Sequence, residues 1–343
     1  MKVIHIGTKT WPPRHGGVEK IVHDLVQAGD PGETWVLAND CEVETDFVRR
    51  LRRFPPAALW QVVRLARSQG VRLIHLHKEP SILLALPLQL LGFRCVLTLH
   101  GFVWRVKRWP LWQRAAVWLL DLLAYLLVRR VVFVSERDWR AVRRWLPLKR
   151  LRLVRNGVAL PPKDESAPRD RDWVYLGRIS PEKNVNSLIE AASSAGIRLD
   201  LFGALDERDK RFAARFRTLS GSPGIHWRGP LDFALVPGTL ARYRVLVNLS
   251  FTEGLPVSVL EGAAQDLHLV LSDIPPHRVL GFPDVSWVDP GAPTLREITW
   301  RVPTGANREH VRGHYSAEAM IDGYRDIYEE LVGDRHESRK ELG

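Results

Sequence analysis

Cysteine is scarce in this chain: 343 residues contain two, Cys41 and Cys95, with no CxxC and no Cys/His cluster. That excludes a disulfide framework and a zinc module, and reads as a reduced, intracellular chain. Long apolar runs are missing as well. At the start, MKVIHIGTKTWPP, the apolar stretch covers only Val3 to Gly7, too short for a signal-peptide core. The longest run, Ala115 to Val128, is broken by Asp121 and falls short of the ~20 residues that a spanning helix needs. Secretion and membrane insertion are both disfavoured. Acidic residues are sparse in the first half: residues 1–160 hold 12 Asp/Glu against 27 Lys/Arg, whereas residues 161–343 hold 27 against 23. The net charge of +11 therefore resides in the first half. Such asymmetry suits a polyanionic partner, nucleic acid or an anionic membrane, unless it reflects only an Arg-rich composition.

What is present is a regular alternation. Short, nearly continuous apolar runs end in Gly, Asn, His or Ser: KVIHIG, TWVLAN, LIHLH, CVLTLHG, RVVFVS and LRLVRNG in the first half, then WVYLGRIS, RLDLFGA, IHWRGPL, RVLVNLS, HLVLSDI and VSWVDPG. This is the signature of parallel strands buried on both faces, with function at their C-terminal ends. Segments of helical spacing, such as VEKIVHDLVQAG, lie between them. The fold class expected is α/β, with two Rossmann-like doubly wound domains. Residues 1–160 form the first and residues 173–315 the second. The Pro- and charge-rich residues 161–172 form a linker, and residues 316–343 an amphipathic helix and tail packing back toward the first domain.

Three sites carry candidate chemistry. Gly16 and Gly17 stand directly before a helix start, where bare backbone amides and the positive helix end make an anion site; alone, such a pair is more often only a turn. In Gly177-Arg178-Ile179-Ser180-Pro181-Glu182-Lys183, Pro181 suits a first helical turn, and Arg178 and Lys183 flank it, placed to meet one anion. Two solvated cations are the plain alternative. The third is Phe251-Thr252-Glu253-Gly254-Leu255-Pro256, followed by an apolar helix carrying Glu261. We expect Glu261 to be buried among Val259, Leu260, Ala263 and Ala264, costly unless something bonds to it, as a ribose diol would.

Together with Asn156-Gly157-Val158 and Ser272-Asp273-Ile274-Pro275, these motifs in this order make the chain resemble a family 4 retaining glycosyltransferase of the GT-B fold, whose two domains face a central cleft. The resemblance covers nearly the whole chain. It implies that Glu261 holds the nucleotide ribose and that Glu253, with the backbone at Gly254 and Leu255, contacts the donor sugar. Arg178 and Lys183 would bind the diphosphate with help from Gly16 and Gly17, and His100 would face the transferred sugar. It implies a nucleotide-diphosphate sugar as donor, no cofactor, no metal and front-face substitution. The chain departs from the family at Gln265-Asp266-Leu267-His268, where a Gly-x-Pro turn is usual, and at Gly101, where many relatives carry aspartate.

His75 and His77 are expected on opposite faces of their strand, which argues against a metal site, and there is no DxD-like pair. The helix from Ala115 is expected to pack as a core helix. Before it, Trp104, Arg105, Lys107, Arg108 and Trp109 interleave indoles with cations and suit either an acceptor cleft or an anionic membrane surface. The partners expected are a nucleotide sugar, a glycan or lipid-linked acceptor and an anionic membrane, with no nucleic acid; the location is the cytoplasmic face of the cell membrane. The rivals are a sugar-nucleotide epimerase of the same fold, which lacks the acids it would need in the first half, and a non-enzymatic polyanion-binding protein, which leaves Glu261 and the Arg178/Lys183 pair unexplained.

Overall fold

A computed structural model describes residues 1–12, 16–30, 32–52, 55–77, 82–102, 110–162, 169–299, 301–302 and 304–333. Trp104, Arg105, Lys107, Arg108 and Trp109 lie outside the described residues, as does the middle of the expected linker, 163–168. The chain forms two compact units.

The first unit is built on a seven-stranded sheet in the order β3-β2-β1-β4-β5-β6-β7, with every pair parallel. Its strands are β1 (Val3–Trp11), β2 (Thr34–Cys41), β3 (Val48–Arg50), β4 (Leu73–His77), β5 (Arg94–Leu99), β6 (Arg130–Phe133) and β7 (Leu151–Leu153). Between them run α1 (Gly17–Gln27), α2 (Pro55–Gln69), α3 (Ile82–Leu90), α4 (Leu111–Leu127) and α5 (Glu136–Arg143). Ile4, Ile6, Leu37, Ile74, Leu76, Cys95 and Leu97 alternate toward one face and meet Val62, Leu88 and Ala124 of the covering helices. Both cysteines are buried and free, and burial pushes the Cys95 thiol up to about 12.

The second unit has a six-stranded parallel sheet in the order β10-β9-β8-β11-β12-β13. These are β8 (Arg171–Leu176), β9 (Leu199–Phe202), β10 (Ile225–Gly229), β11 (Tyr243–Asn248), β12 (His268–Ser272) and β13 (Val285–Val288). Helices α6 (Val185–Ser194), α7 (Lys210–Leu219), α8 (Val236–Leu240), α9 (Val257–Ala264), α10 (Pro275–Arg278) and α11 (Ala306–His314) complete it. Arg171 and Asp172, expected in the linker, already belong to β8.

The closing helix α12 (Ala317–Gly333) belongs almost wholly to the first unit. Glu330 pairs with Arg130 at 2.7 Å and Arg152 at 2.6 Å. The chain leaves and re-enters the first unit through one backbone seam within the second. Val158 N donates to Tyr315 O, and Ala317 N donates to Val158 O. A Cβ on Gly157 would lie 2.1 Å from the Ser316 carbonyl oxygen, so only glycine fits there.

Helix α4 corrects the expectation of a core helix. Asp121, Ala124 and Tyr125 are buried, and the Tyr125 ring meets Phe133, but Trp112, Leu119 and Leu123 are exposed. The apolar composition had concealed a helix that covers the core with one side and turns a second apolar side to water.

Candidate active site

In both sheets the strand order reverses direction between the first strand and the fourth, β1 and β4 in one, β8 and β11 in the other. Ligands of doubly wound sheets bind outside the carboxyl ends of the strands at such a reversal. In the second unit, β8 runs there into Gly177 and Arg178, and β11 runs into Asn248, Ser250 and Glu253.

After β8 the chain turns tightly. The Tyr175 hydroxyl donates to Arg178 O at 2.8 Å, and a Cβ on Gly203 would fall 1.8 Å from Gly177 O. A short 3-10 turn, Pro181–Lys183, follows, with Pro181 at its first position as its fixed φ allows. Asn184, at φ 55°, ends the turn and starts α6, and its side-chain amide donates to Pro290 O at 2.9 Å. The loop after β11 is tied to this turn by Phe251 N donating to Glu182 O at 3.0 Å.

At the junction Lys183 Nζ meets Glu253 Oε2 at 2.6 Å, while the other carboxylate oxygen accepts from Ser250 Oγ at 2.7 Å and Asn248 Nδ2 at 3.2 Å. The Glu253 side chain is only 6% exposed. Burial acts to raise its carboxyl, but Lys183, His277 and the Ser250 hydrogen bond outweigh it and hold the group below the usual carboxylate range. Beneath the loop Ser272 Oγ donates to Ser250 O at 2.7 Å, and His277 Nδ1 lies 3.0 Å from Ser272 Oγ. Burial lowers His277 despite the nearby Glu253, so the ring is neutral at pH 7, and its buried Nε2 has no hydrogen-bond partner.

Arg178 and Lys183 hold different carboxylates here, not one shared anion: Arg178 is 43% exposed and pairs with Glu182 at 3.2 Å. Glu261 is also corrected. It lies on α9 among buried Val259, Leu260, Ala263 and Ala264, yet is itself only half-buried, because its side of the helix is the one not packed on the sheet. Gly254 and Leu255 lead into Pro256 and the α9 N-terminus, so backbone amides face forward there. Asn248, Ser250 and His277 escaped the sequence reading. The polar end of the otherwise apolar VLVNLS run was the available signal for the first two; His277, two residues beyond the Ser-Asp-Ile-Pro motif, offered none.

Gly16 takes φ +104° directly before α1 and groups with the second unit, whereas the histidines belong to the first. His100 follows β5 and stacks on His77 with ring centroids 5.9 Å apart. The expectation that His75 and His77 face opposite ways is wrong: residues two apart on a strand share a face, and their rings lie 3.9 Å apart. Together with His5 on the neighbouring strand they form a buried cluster whose ligand atoms all lie within 4.8 Å of one another, a grouping able to hold a metal ion. As it stands, hydrogen bonds join the cluster. His5 Nδ1 lies 3.1 Å from His77 Nε2; His75 bonds Tyr328 Oη at 2.5 Å and Thr98 Oγ1 at 2.7 Å. Burial lowers His5 to about 3 and His75 well below its ordinary value, so both are neutral.

Residues 15–160 match Glycosyltransferase Family 4, and residues 170–291 match Glycosyl transferases group 1. A GDP-mannose:cellobiosyl-diphosphopolyprenol alpha-mannosyltransferase of Xanthomonas campestris is 26% identical over 310 residues, 80% of each chain. Among solved structures, a sucrose-phosphate synthase from Thermosynechococcus elongatus superposes with a TM-score of 0.79 at 18% identity, covering 97% of this chain and 100% of that one. Anabaena Alr3699/HepE, solved with UDP and glucose, has a TM-score of 0.76 at 15% identity and the same coverage. Two doubly wound units and two matching family segments that follow one another along the chain lead to one assignment: the chain is a family 4 glycosyltransferase of the GT-B fold.

Proposed function

We propose that the protein transfers a sugar, with retention at the anomeric carbon, from a nucleotide-diphosphate donor held on the second unit to a lipid-linked or cell-surface glycan precursor. The observation that carries this reading is the Lys183–Glu253 pair, set among hydroxyl and amide donors at the switch point of the second sheet. A diphosphate there would draw on Lys183 and Arg178, cations that lie on either side of one turn. Both strengthen their hold as charge builds on the leaving group. Glu253 and the Gly254–Leu255 backbone are assigned to the sugar, Glu261 to the ribose hydroxyls, and Gly16 and Gly17 to the phosphates. On the family resemblance His100 is assigned to the transferred sugar.

The reaction forms a bond from the acceptor hydroxyl oxygen to the anomeric carbon and breaks the bond from that carbon to the diphosphate oxygen. The acceptor's proton passes to the departing phosphate. With two side-chain cations at the leaving group, no metal ion is required in this reading. An acceptor carried on a lipid accords with the basic first half, and the mannosyltransferase relative acts, by its name, on a diphosphopolyprenol.

The test is incubation with a panel of nucleotide-diphosphate sugars and a polyprenyl-diphosphate-linked saccharide, with chelator present. Release of free nucleoside diphosphate together with an α-linked product from an α-linked donor is expected. Product of inverted configuration, or an absolute need for a divalent ion, would refute the mechanism.

A further inference from the structure

Helix α4 carries an outward stripe without charge. Trp112, Leu119, Leu123 and Leu126 recur at helical spacing on the side away from the core, and Trp112 is 70% exposed. The one acid in the helix, Asp121, is buried on the opposite side. Helix α3 repeats the pattern: Leu83 and Leu90, and Leu91 directly after the helix, are exposed, with Leu90 at 89%, while Leu84, Ala85 and Leu88 enter the core. The two stripes adjoin. Gln89 of α3 donates through Nε2 to Leu127 O at 2.9 Å and accepts from Arg129 N at 2.8 Å, clamping the C-terminal ends of both helices together. Soluble proteins rarely leave contiguous apolar surface of this kind open to water unless it meets a partner.

Charge around the stripes selects the partner. Arg129 and Lys149 are exposed at their C-terminal end, and Arg150 reaches in to cap the Leu126 carbonyl. Among the described residues from 82 to 135, Asp121 is the single acid, and it is buried. An apolar stripe rimmed by cations, with no exposed carboxylate in its own segment, matches an anionic lipid surface, whose headgroups meet the arginines and lysine while its acyl region takes the leucines and indoles. No helix among the described residues is long and apolar enough to cross a membrane. At 17 residues, α4 suits lying in the interface.

We propose that α3 and α4 together form a docking surface on which the first unit rests against an anionic membrane. This rests on the reading that the acceptor is lipid-linked, and it gives that reading a physical site. Its leucines on α4 lie in the helix from Ala115 that sequence alone had assigned to the core.

The experiment is co-sedimentation of the full chain with phosphatidylglycerol vesicles and with phosphatidylcholine vesicles, at low and high salt. Three preparations are compared: the natural chain, Leu90→Ser/Leu119→Ser/Leu123→Ser, and Arg129→Glu/Lys149→Glu. All substituted positions are exposed or flank the stripe, so folding should persist, which thermal unfolding verifies. The natural chain should pellet with anionic vesicles, and less so as salt screens the cations. The leucine variant should lose about tenfold or more in partitioning at both salt levels, because apolar insertion is not screened. The charge-reversed variant should lose binding chiefly at low salt. A natural chain that stays in the supernatant, or a leucine variant that binds equally well, overturns the proposal. So does a dimer in size exclusion that the leucine changes dissolve while vesicle binding is absent; the stripe would then join two copies. Stabilisation by nucleoside diphosphates, measured on the same preparations, separates this from the catalytic reading: donor binding retained without vesicle binding sinks only the docking surface, and the converse sinks only the donor site.

Discussion

At the residue scale the decisive feature is that Lys183 is a structural partner of Glu253 as well as a candidate phosphate ligand. Removing one member of a buried ion pair strands the other, which costs about 3–5 kcal/mol, whereas removing both can be nearly neutral. Lys183→Ala should therefore lower thermal stability as well as turnover. Lys183→Ala combined with Glu253→Gln should recover most of the stability and none of the turnover. Calorimetry and nucleotide-release assays on the same samples check both; if the single and double variants unfold alike, the pair contributes nothing to the fold. Arg178→Ala, exposed and paired only with Glu182 among described groups, should leave stability unchanged and depress kcat. The roles of individual residues were only partly legible in sequence. Glu253 stood out because a carboxylate beside Gly-Leu-Pro at a strand end is unusual. Its support did not, because Asn248, Ser250 and His277 acquire meaning only when β11 and β12 lie side by side.

At the element scale the sequence was far more informative. The twelve apolar runs read as strands coincide with twelve of the thirteen observed: the inner strands are buried on both faces and read as apolar runs, and the less buried edge strands β7 and β10 kept enough apolar residues to be recognised. The missed one, β3 (Val48–Arg50), is a three-residue edge strand carrying two arginines, with too little apolar content to register. Helix α4 misled for the opposite reason: composition reports how apolar a helix is, and not whether a protein core supplies the second apolar surface. The turn between β8 and α6 depends on a neighbour distant in sequence. Gly203, after β9, lets the backbone press against Gly177 O, so Gly203→Ala should displace the segment that carries Arg178. Such a clash with backbone has no side chain that can yield, and a loss of about 1–3 kcal/mol is expected. It should be accompanied by weaker nucleotide binding; an unchanged Tm and unchanged affinity would mean that the turn is set elsewhere.

At the scale of the whole molecule, buried neutral histidines set the response to acid. His5, His75 and His277 are all held below their ordinary value, His5 to about 3. In the unfolded chain each binds a proton as pH falls through about 6.5, whereas in the folded chain each binds it only at lower pH, His5 and His75 at much lower pH. The unfolded state then holds more protons, so stability falls with falling pH, by about 1.4 kcal/mol per pH unit for each such histidine. Glu253 acts in the same direction at lower pH: its contribution is present above the ordinary carboxylate value and is lost as pH falls through its depressed one. Denaturant midpoints between pH 7 and 4 should decline steeply, and His5→Gln should make the decline shallower by about one proton. A midpoint flat across that range would show that the cluster is not held neutral.

The seam at Val158 and Ser316 makes the second unit an insertion, with consequences for the order of manufacture. A ribosome completes β1 to β7 by Leu153, yet α12, which covers His75 and Thr98 with Tyr328 and Tyr324, begins only at Ala317. Throughout the synthesis of the intervening chain, the histidine-bearing face of the first sheet is without its lid, whereas the second unit has all its own strands once Val288 is made, before α12 begins. The nascent first unit is thus a half-finished domain waiting on a distant helix. Chains arrested before Ala317 should expose that face to proteases and chaperones even where the second unit is already native.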